Sequence, residues 1–242
     1  MAKHCLNCNN IVKGNFCANC GQSLKETKIG WKSLFDELQF SILHINKGII
    51  FTIKELLLRP GSTINGYLGG KRVDYSKPFA YLFILATIYS LVIHFFNVYP
   101  ESEMHPNNNS LFDSNALYSW YYGHYAISLL LIIPFYAVSS YLIYRKRGYD
   151  YIEHLVIHSY ISGTKVFILL LLYPLFYYSH SVYVYHMMNV FTFIYILWAL
   201  IRVFRYPSFF KTLFKAIWCI ALTLIFATFV AVVVVEILKS AH

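Results

Sequence analysis

The sequence predicts an all-α membrane protein, in which a multi-pass helical body follows two smaller N-terminal segments. Hydrophobic residues make up 58% of the chain and charged residues 13%, whereas a soluble domain carries about 25% charged residues. The apolar residues form continuous stretches of about 20 residues, which is the helical length that crosses a hydrocarbon layer. Their continuity excludes a transmembrane β-barrel, whose strands alternate apolar and polar residues.

The chain begins with two Cys-x-x-Cys pairs, Cys5 with Cys8 and Cys17 with Cys20. Four thiolates in two such pairs can close a tetrahedron around one zinc ion. Too few apolar residues surround them to make a core, so a metal would have to supply most of the folding free energy. Residues 1–25 are therefore predicted to form a zinc ribbon with a structural Zn²⁺. Two disulfides are the alternative.

Residues 30–77 are predicted to form a cytoplasmic juxtamembrane segment that contains an amphipathic helix. Its apolar residues recur mostly every three or four positions and therefore line one helical face. They are Trp31, Leu34, Phe35, Leu38, Ile42, Ile45, Ile49, Ile53 and Leu56. Such a helix lies in the inner membrane interface or against the membrane bundle, and Gly48 is a point at which it could divide in two.

The amphipathic helix is expected to end at Arg59. Pro60 disfavours helical geometry in the residue before it and has no N–H to donate. Ser62 is then the predicted N-cap of a brief second helix, which Gly69 and Gly70 stop.

The transmembrane domain is predicted to occupy residues 78–242. Its spans are expected near 78–98, 124–144, 155–178, 185–203 and 216–235. Whether the 155–178 stretch crosses fully is left open, because it contains His158 and Lys165 and becomes cleanly apolar only at Val166. Cys219 lies in the fifth stretch and is predicted to be a small packed apolar residue.

Basic residues alternate between the loops. Lys and Arg are frequent before the first span, absent from 99–123, present at 145–147, absent after the third span and present again in 202–215. This alternation follows the positive-inside rule for five crossings. It predicts a protein of the cell inner membrane with a cytoplasmic N-terminus and an external C-terminus. A reducing cytoplasm also disfavours disulfides between the paired cysteines.

The formal net charge of +9 is explained by this topology, because basic cytoplasmic loops attract the anionic lipid headgroups of the bilayer. The cysteine segment offers only Lys3, His4 and Lys13 as phosphate contacts, and Phe16 as a single stacking residue. A nucleic-acid site normally combines a basic stripe with several aromatic residues. Nucleic acid is therefore not an expected partner, whereas a cytoplasmic protein that docks on the zinc ribbon is.

Several ordered motifs resemble a bacterial family of uncharacterised membrane proteins, catalogued as a domain of unknown function. The elements that carry the resemblance are Phe16-Cys17 to Gln22, Thr52, Leu56, Pro60-Gly61, Tyr67, Gly70-Lys71-Arg72, Tyr75 and Pro78. The resemblance covers roughly a third of the chain, from Cys5 to Leu82. It implies a zinc ribbon joined to a multi-pass domain of a bacterial inner membrane. It implies no activity, catalytic residue or substrate.

The start of the third span carries a candidate site for an anion or a lipid headgroup. At 100° per residue, one helix face holds Arg147, Tyr151, His154, His158, Ser162 and Lys165, provided that the helix continues back through Gly148. Such a face bears donors and potential cations, so it could receive a phosphate or a carboxylate. The alternative is that Lys165 extends to the interface and the histidines are merely interfacial.

Catalytic signatures are missing from the sequence, which has no phosphate-binding loop, His-Glu-x-x-His motif or nucleophile elbow. Five histidines map near the outer face, but their separation over different loops favours solvated side chains over a metal site. They are His94, His105, His124, His180 and His186.

Two function classes remain. The first is a non-enzymatic docking, assembly or sensing protein that uses its zinc ribbon, and the sparse intramembrane charge favours it. The second is a transporter or lipid-handling protein, or an enzyme, with a polar cavity lined by the third span.

Overall fold

The computed structural model of the chain describes residues 3–24, 29–31, 48–96 and 121–240, with residue 3 and residues 230–240 described by main chain only. The part of the predicted amphipathic stripe between 32 and 47 and the loop histidine His105 lie outside the described residues.

The N-terminal segment 3–24, called the knuckle below, contains two short antiparallel strands, β1 (Lys3–His4) and β2 (Ile11–Val12). The helices that follow in the described part of the chain are α1 Gly48–Leu58, α2 Pro60–Leu68, α3 Pro78–Phe96, α4 Tyr125–Tyr144, α5 Tyr151–Ser179, α6 Val182–Val203 and α7 Phe209–Ser240. Five of them, α3 to α7, are long and apolar enough to cross a membrane. The predicted fold class is confirmed.

Helix α5 is the centre of the bundle and contacts α3, α4 and α6. Within its most apolar stretch 67% of the residues are buried, against at most 39% in the other four spans. Its 29 residues extend about 43 Å at 1.5 Å per residue. The sequence left open whether the 155–178 stretch crosses the membrane. In the structure this stretch lies in α5, the longest helix described in full, and its polar residues lie among other helices.

Three of the predicted spans begin too late, because the helices start at Tyr151, Val182 and Phe209 instead of near 155, 185 and 216. Helix α5 starts at Tyr151, because Asp150 accepts a hydrogen bond from the Glu153 N–H and the Glu153 carboxylate accepts one from the Asp150 N–H. This reciprocal capping box satisfies two free donors of the first turn. Helix α7 starts at Phe209, and Lys215 within it donates to a carbonyl at the end of α4. Hydropathy placed the starts of α5 and α7 too late because their first turns contain charged residues, Glu153 in α5 and Lys211 in α7.

The contact between α3 and α5 is close because α5 has a glycine there. A Cβ atom on Gly163 would lie 2.6 Å from two ring carbons of Tyr81. The Tyr81 side chain is fully buried, and its hydroxyl lies 2.9 Å from the Thr164 hydroxyl. Small residues permit such approach of helices in membrane proteins, where packing replaces the hydrophobic effect as the driving force.

Helices α1 and α2 form a hairpin on the end of the bundle where α5 begins and α6 ends, called the knuckle end below. The first turn of α3 packs beside Tyr160 of α5, so the part of α5 before Tyr160 extends past the start of α3. The hairpin packs against this extension, where the Tyr67 ring lies 5.3 Å from the Tyr160 ring. The Asn65 amide donates to the Val203 carbonyl at 3.3 Å, and a Cβ on Gly61 would lie 2.6 Å from the Arg202 carbonyl carbon.

The start of α2 differs from the prediction. Helix α1 ends at Leu58, as expected from Pro60, but α2 begins at Pro60 itself and Ser62 lies inside its first turn. The Ser62 hydroxyl donates to the Arg59 carbonyl at 3.1 Å instead of capping the helix. Proline suits the first helical position because its φ angle is already helical and the N–H that it lacks would be unpaired there.

Candidate metal centre and intramembrane cleft

The four predicted cysteine ligands meet in the knuckle, where their sulfur atoms all lie within 4.8 Å of one another. Cys5 Sγ is 3.6 Å from Cys20 Sγ, and Cys8 Sγ is 3.5 Å from Cys17 Sγ. Disulfide sulfurs are about 2.05 Å apart, whereas sulfurs around a tetrahedral zinc with bonds of about 2.3 Å are about 3.8 Å apart. The spacing therefore fits a metal ion and excludes disulfides in this structure.

Each Cys-x-x-Cys pair closes the same turn. The N–H of Asn9 donates to the Cys5 carbonyl and the N–H of Gly21 donates to the Cys17 carbonyl, both at 2.8 Å. Asn9 and Gly21 have φ angles of 60° and 74°, a left-handed conformation that glycine and, less often, asparagine adopt. The sequence signals for these two turns are the asparagine after Cys8 and the glycine after Cys20.

The electrostatics of the knuckle call for a cation. A hydrogen bond from the Asn10 N–H lowers the pKa of Cys8 to about 6. The Gln22 N–H also favours the Cys20 thiolate, but burial and the neighbouring Cys8 and Cys5 raise the pKa of Cys20 to about 12. Four thiolates within 4.8 Å of one another repel, and a divalent metal ion between them would offset that repulsion.

The knuckle is fixed to the membrane domain by the side chain of Gln22. Its amide nitrogen donates to the Gly70 carbonyl, and its amide oxygen accepts from the Arg72 N–H at 3.3 Å. Leu6 packs against Gly70, where a Cβ atom would lie 2.7 Å from the Leu6 Cδ1. Gly70 has a φ angle of 104°, so both its conformation and its contact favour glycine. The turn between α2 and α3 therefore holds the knuckle.

A cleft of about 490 Å³ opens between α4, α5, α6 and α7. Its polar lining includes His158, Ser162 and Lys165 from α5, and His186 and Asn189 from α6. The rest of its wall is mainly apolar, and no Asp or Glu occurs among the described residues that line it. An apolar wall with a few convergent polar groups is the usual character of a small-molecule site.

The predicted candidate residues separate into two places. His158, Ser162 and Lys165 line the cleft, and His154 is completely buried one turn before it. Arg147 lies elsewhere, on a short 3₁₀ turn after α4, where its guanidinium lies 4.7 Å from the Tyr206 ring centre. The helix does not run back through Gly148, whose φ angle is 81°. The expectation that Arg147 belongs to this face was therefore wrong.

Ser140 on α4 joins the two buried histidines and was missed in the sequence. Its hydroxyl oxygen lies 2.8 Å from His154 Nδ1 and 2.8 Å from His158 Nε2. All three side chains are buried. The same hydroxyl donates to the Ala137 carbonyl of its own helix at 3.1 Å. That bond is the usual one for a serine within an apolar span, so the sequence carries no signal for the cross-helix bridge.

The outer histidines do not assemble a metal site within the described residues. In that part of the chain the cysteines form the one group of three or more ligating side chains close enough to share an ion. The histidines concerned are His94, His124, His180 and His186.

The fold and its two sites define a multi-pass helical membrane protein with a cluster of four cysteines that could hold a metal ion at one end and a cleft within its spans. Residues 46–90 match a protein family described as a protein of unknown function (DUF3667). The match covers α1, α2 and much of α3, and it confirms the resemblance to a domain of unknown function. Neither the curated proteins nor the solved structures contain a match to the chain.

Proposed function

We propose that this protein binds an amphiphile with an anionic headgroup in the cleft of its membrane domain. The observation that carries the proposal is Lys165, whose side chain lines the cleft, while none of the described residues that line it is a carboxylate. Among the described residues the ion pair within 4.0 Å joins Arg59 to Glu55, away from the cleft. A cationic residue inside a membrane domain is costly unless it serves a partner, and an anionic headgroup would be that partner.

The walls of the cleft suit the tail of an amphiphile. Ile161, Val190, Phe193 and Leu224 line it beside the polar groups. A volume of about 490 Å³ lies within the range of roughly 300 to 1,000 Å³ typical of small-molecule pockets. His158 and Ser162 add hydrogen-bonding groups on the same helix as Lys165, so headgroup recognition would be concentrated on α5.

Replacing Lys165 with Met is expected to weaken binding of a fluorescent alkyl sulfonate by at least about tenfold, because charged hydrogen bonds to an anion are among the stronger ones. Binding would be measured on the full chain in phosphatidylcholine nanodiscs. Lys146→Met is the matched control, since Lys146 is exposed outside the cleft. Equal losses in the two variants, or no saturable binding by the wild type, would contradict the proposal.

The second candidate function is docking of a cytoplasmic protein on the metal-bound knuckle. Ile11 and Phe16 support it, because they are 63% and 65% exposed on the knuckle, whereas Gln22 fixes the knuckle to the bundle. Zn²⁺ is the metal proposed for this centre, since four cysteines are a typical structural zinc ligand set. Mass spectrometry of the protein purified in mild detergent separates the candidates, because a bound lipid supports the cleft and a stoichiometric protein supports docking.

The proposed location is the inner membrane of a bacterium, with the knuckle in the cytoplasm. The basic loops support this orientation. A reporter that is active only in the cytoplasm is expected to work at Met1 and after Lys146, and to fail after His242. Activity at both termini would mean an even number of crossings and would contradict the proposed topology.

A further inference from the structure

The hydroxyl of Ser140 connects the cleft to the knuckle end of the bundle. Ser140 Oγ lies 2.8 Å from His158 Nε2, and His158 lines the cleft. On its other side the same oxygen lies 2.8 Å from His154 Nδ1. His154 is one turn closer to the start of α5, so the three groups form a continuous chain along the helix axis.

The far nitrogen of His154 is buried without a partner. His154 Nε2 has no hydrogen bond within the described residues, and its ring lies against Phe204 with centres 5.3 Å apart. A buried polar atom that is left unpaired calls for an explanation such as an ordered water or a role in proton transfer. The position of His154 Nε2 favours a role in proton transfer, because this nitrogen lies at one end of the chain of groups and the cleft lies at the other.

We propose that His154, Ser140 and His158 form a reversible proton relay, through which the cleft takes up one proton from the knuckle end when it binds its anion. This inference rests on the proposed function of the cleft. Proton uptake adds a positive charge at His158, on the same helix as Lys165 and two turns before it. The additional charge stabilises a bound anion in a medium of low dielectric constant.

The proton transfers balance as follows. His154 begins with its proton on Nδ1, donated to Ser140 Oγ, and the Ser140 hydroxyl turns from the Ala137 carbonyl to donate to His158 Nε2. His154 Nε2 is buried against Phe204, so proton entry requires that ring to move aside. A proton from water at the knuckle end then binds His154 Nε2, the Nδ1 proton moves to Ser140 Oγ, and the hydroxyl proton moves to His158 Nε2. His158 becomes an imidazolium and His154 is neutral again. When the anion leaves, the same steps run backwards and return one proton to water.

The surroundings of the relay are mostly aromatic. Tyr136 and Tyr141 of α4 lie 5.8 Å from the rings of His158 and His154, and Tyr149 lies 6.0 Å from His154. Asp150, the N-cap of α5, is the acidic group that acts on His154. Lys165 and His186 are the other ionisable groups that share the cleft with His158, together with Cys219. The relay therefore connects one acidic residue at the knuckle end to cationic groups in the cleft.

The test measures proton uptake and ligand binding separately. The full chain in phosphatidylcholine nanodiscs is mixed with a fluorescent alkyl sulfonate, whose headgroup does not titrate near neutral pH, in a weakly buffered solution containing a pH indicator. Stopped-flow absorbance gives the rate of proton uptake, and fluorescence gives the bound fraction. The wild type is expected to take up about one proton per bound probe, as linkage between the two sites requires.

Ser140→Ala is expected to slow proton uptake by at least about tenfold, because relayed proton transfer needs positioned groups. The matched control is Ser139→Ala, which removes an equally buried hydroxyl that donates to the Phe135 carbonyl within its own helix. It should behave as the wild type does. His154→Phe is a second variant, since it keeps a ring against Phe204 but has no nitrogen, and it should slow uptake as Ser140→Ala does.

Equal uptake rates in the Ser140 and Ser139 variants would overturn the relay. Probe binding by the wild type without proton uptake would overturn the relay and leave the proposed function standing. An absence of probe binding by the wild type would overturn both, so the two failures are distinguishable.

Discussion

Replacing Cys17 with Ser is expected to release the metal ion and unfold the knuckle while the helical bundle stays folded. Cys5, Val12 and Cys17 are the buried residues of the knuckle cluster, which is too small to fold without a metal. The spans are stabilised separately by packing within the membrane. Metal analysis should show about one zinc ion per wild-type chain and almost none in the variant, and limited proteolysis should then cut within the first 24 residues.

Cys219→Ser is the matched control for this experiment, because Cys219 is buried among the spans and is not one of the clustered cysteines. Its metal content should equal that of the wild type. Wild-type protein that is prepared without oxygen and contains no zinc would contradict the prediction. Cysteines that are joined as disulfides in the cell would contradict it as well.

Replacing Gly163 with Ala is expected to destabilise the bundle by about 1 to 3 kcal/mol, the usual cost of overpacking a core. The new Cβ would lie 2.6 Å from the Tyr81 ring and 3.3 Å from the Leu82 Cα. The ring cannot swing away freely, since it is fully buried and its hydroxyl is held by Thr164. The measurement is thermal unfolding in detergent, in which the variant should melt at a lower temperature.

Gly66→Ala provides the control for the Gly163 variant. Gly66 also lies inside a helix, but the nearest atom to its added Cβ is the flexible Lys71 side chain at 3.9 Å. Alanine has a higher helix propensity than glycine by about 1 kcal/mol, so this variant should be as stable as the wild type or more stable. If the Gly163 variant melts at a temperature no lower than that of the Gly66 variant, the contact between α3 and α5 has room for a Cβ atom and the prediction is wrong.

Local signals in the sequence predicted the helical membrane fold and the cluster of four cysteines. Continuous apolar stretches identified the five spans, because helix length and hydropathy are local properties. The spacing of the cysteines identified, for the same reason, the four side chains that cluster and could hold a metal ion. Helix ends were harder to predict, since the capping box at Asp150 and a first turn of α7 that contains Lys211 extend these helices beyond their continuous apolar parts.

The contacts that the sequence could not predict are those between distant segments. Ser140 meets His154 and His158 only because α4 and α5 pack side by side. Gln22 bonds a turn 48 residues further along the chain. Hydropathy also treats His158 and Lys165 as obstacles to crossing a membrane, although both side chains line a cleft among the helices.

The α1 and α2 hairpin has a consequence for how the protein is made. Its residues are synthesised before any of the spans, yet Asn65 bonds Val203, which is 138 residues later, and Tyr195 bonds Leu56 across 139 residues. Contacts over such separations form late, because the intervening chain must first be ordered. Until α6 has inserted, the hairpin has no site to occupy, and its apolar residues Leu56 and Ile64, which are buried in the finished bundle, must be accommodated by lipid or by a chaperone. The hairpin, which lies within the segment that matches a known family, is thus made early and reaches its final position only near the end of biogenesis.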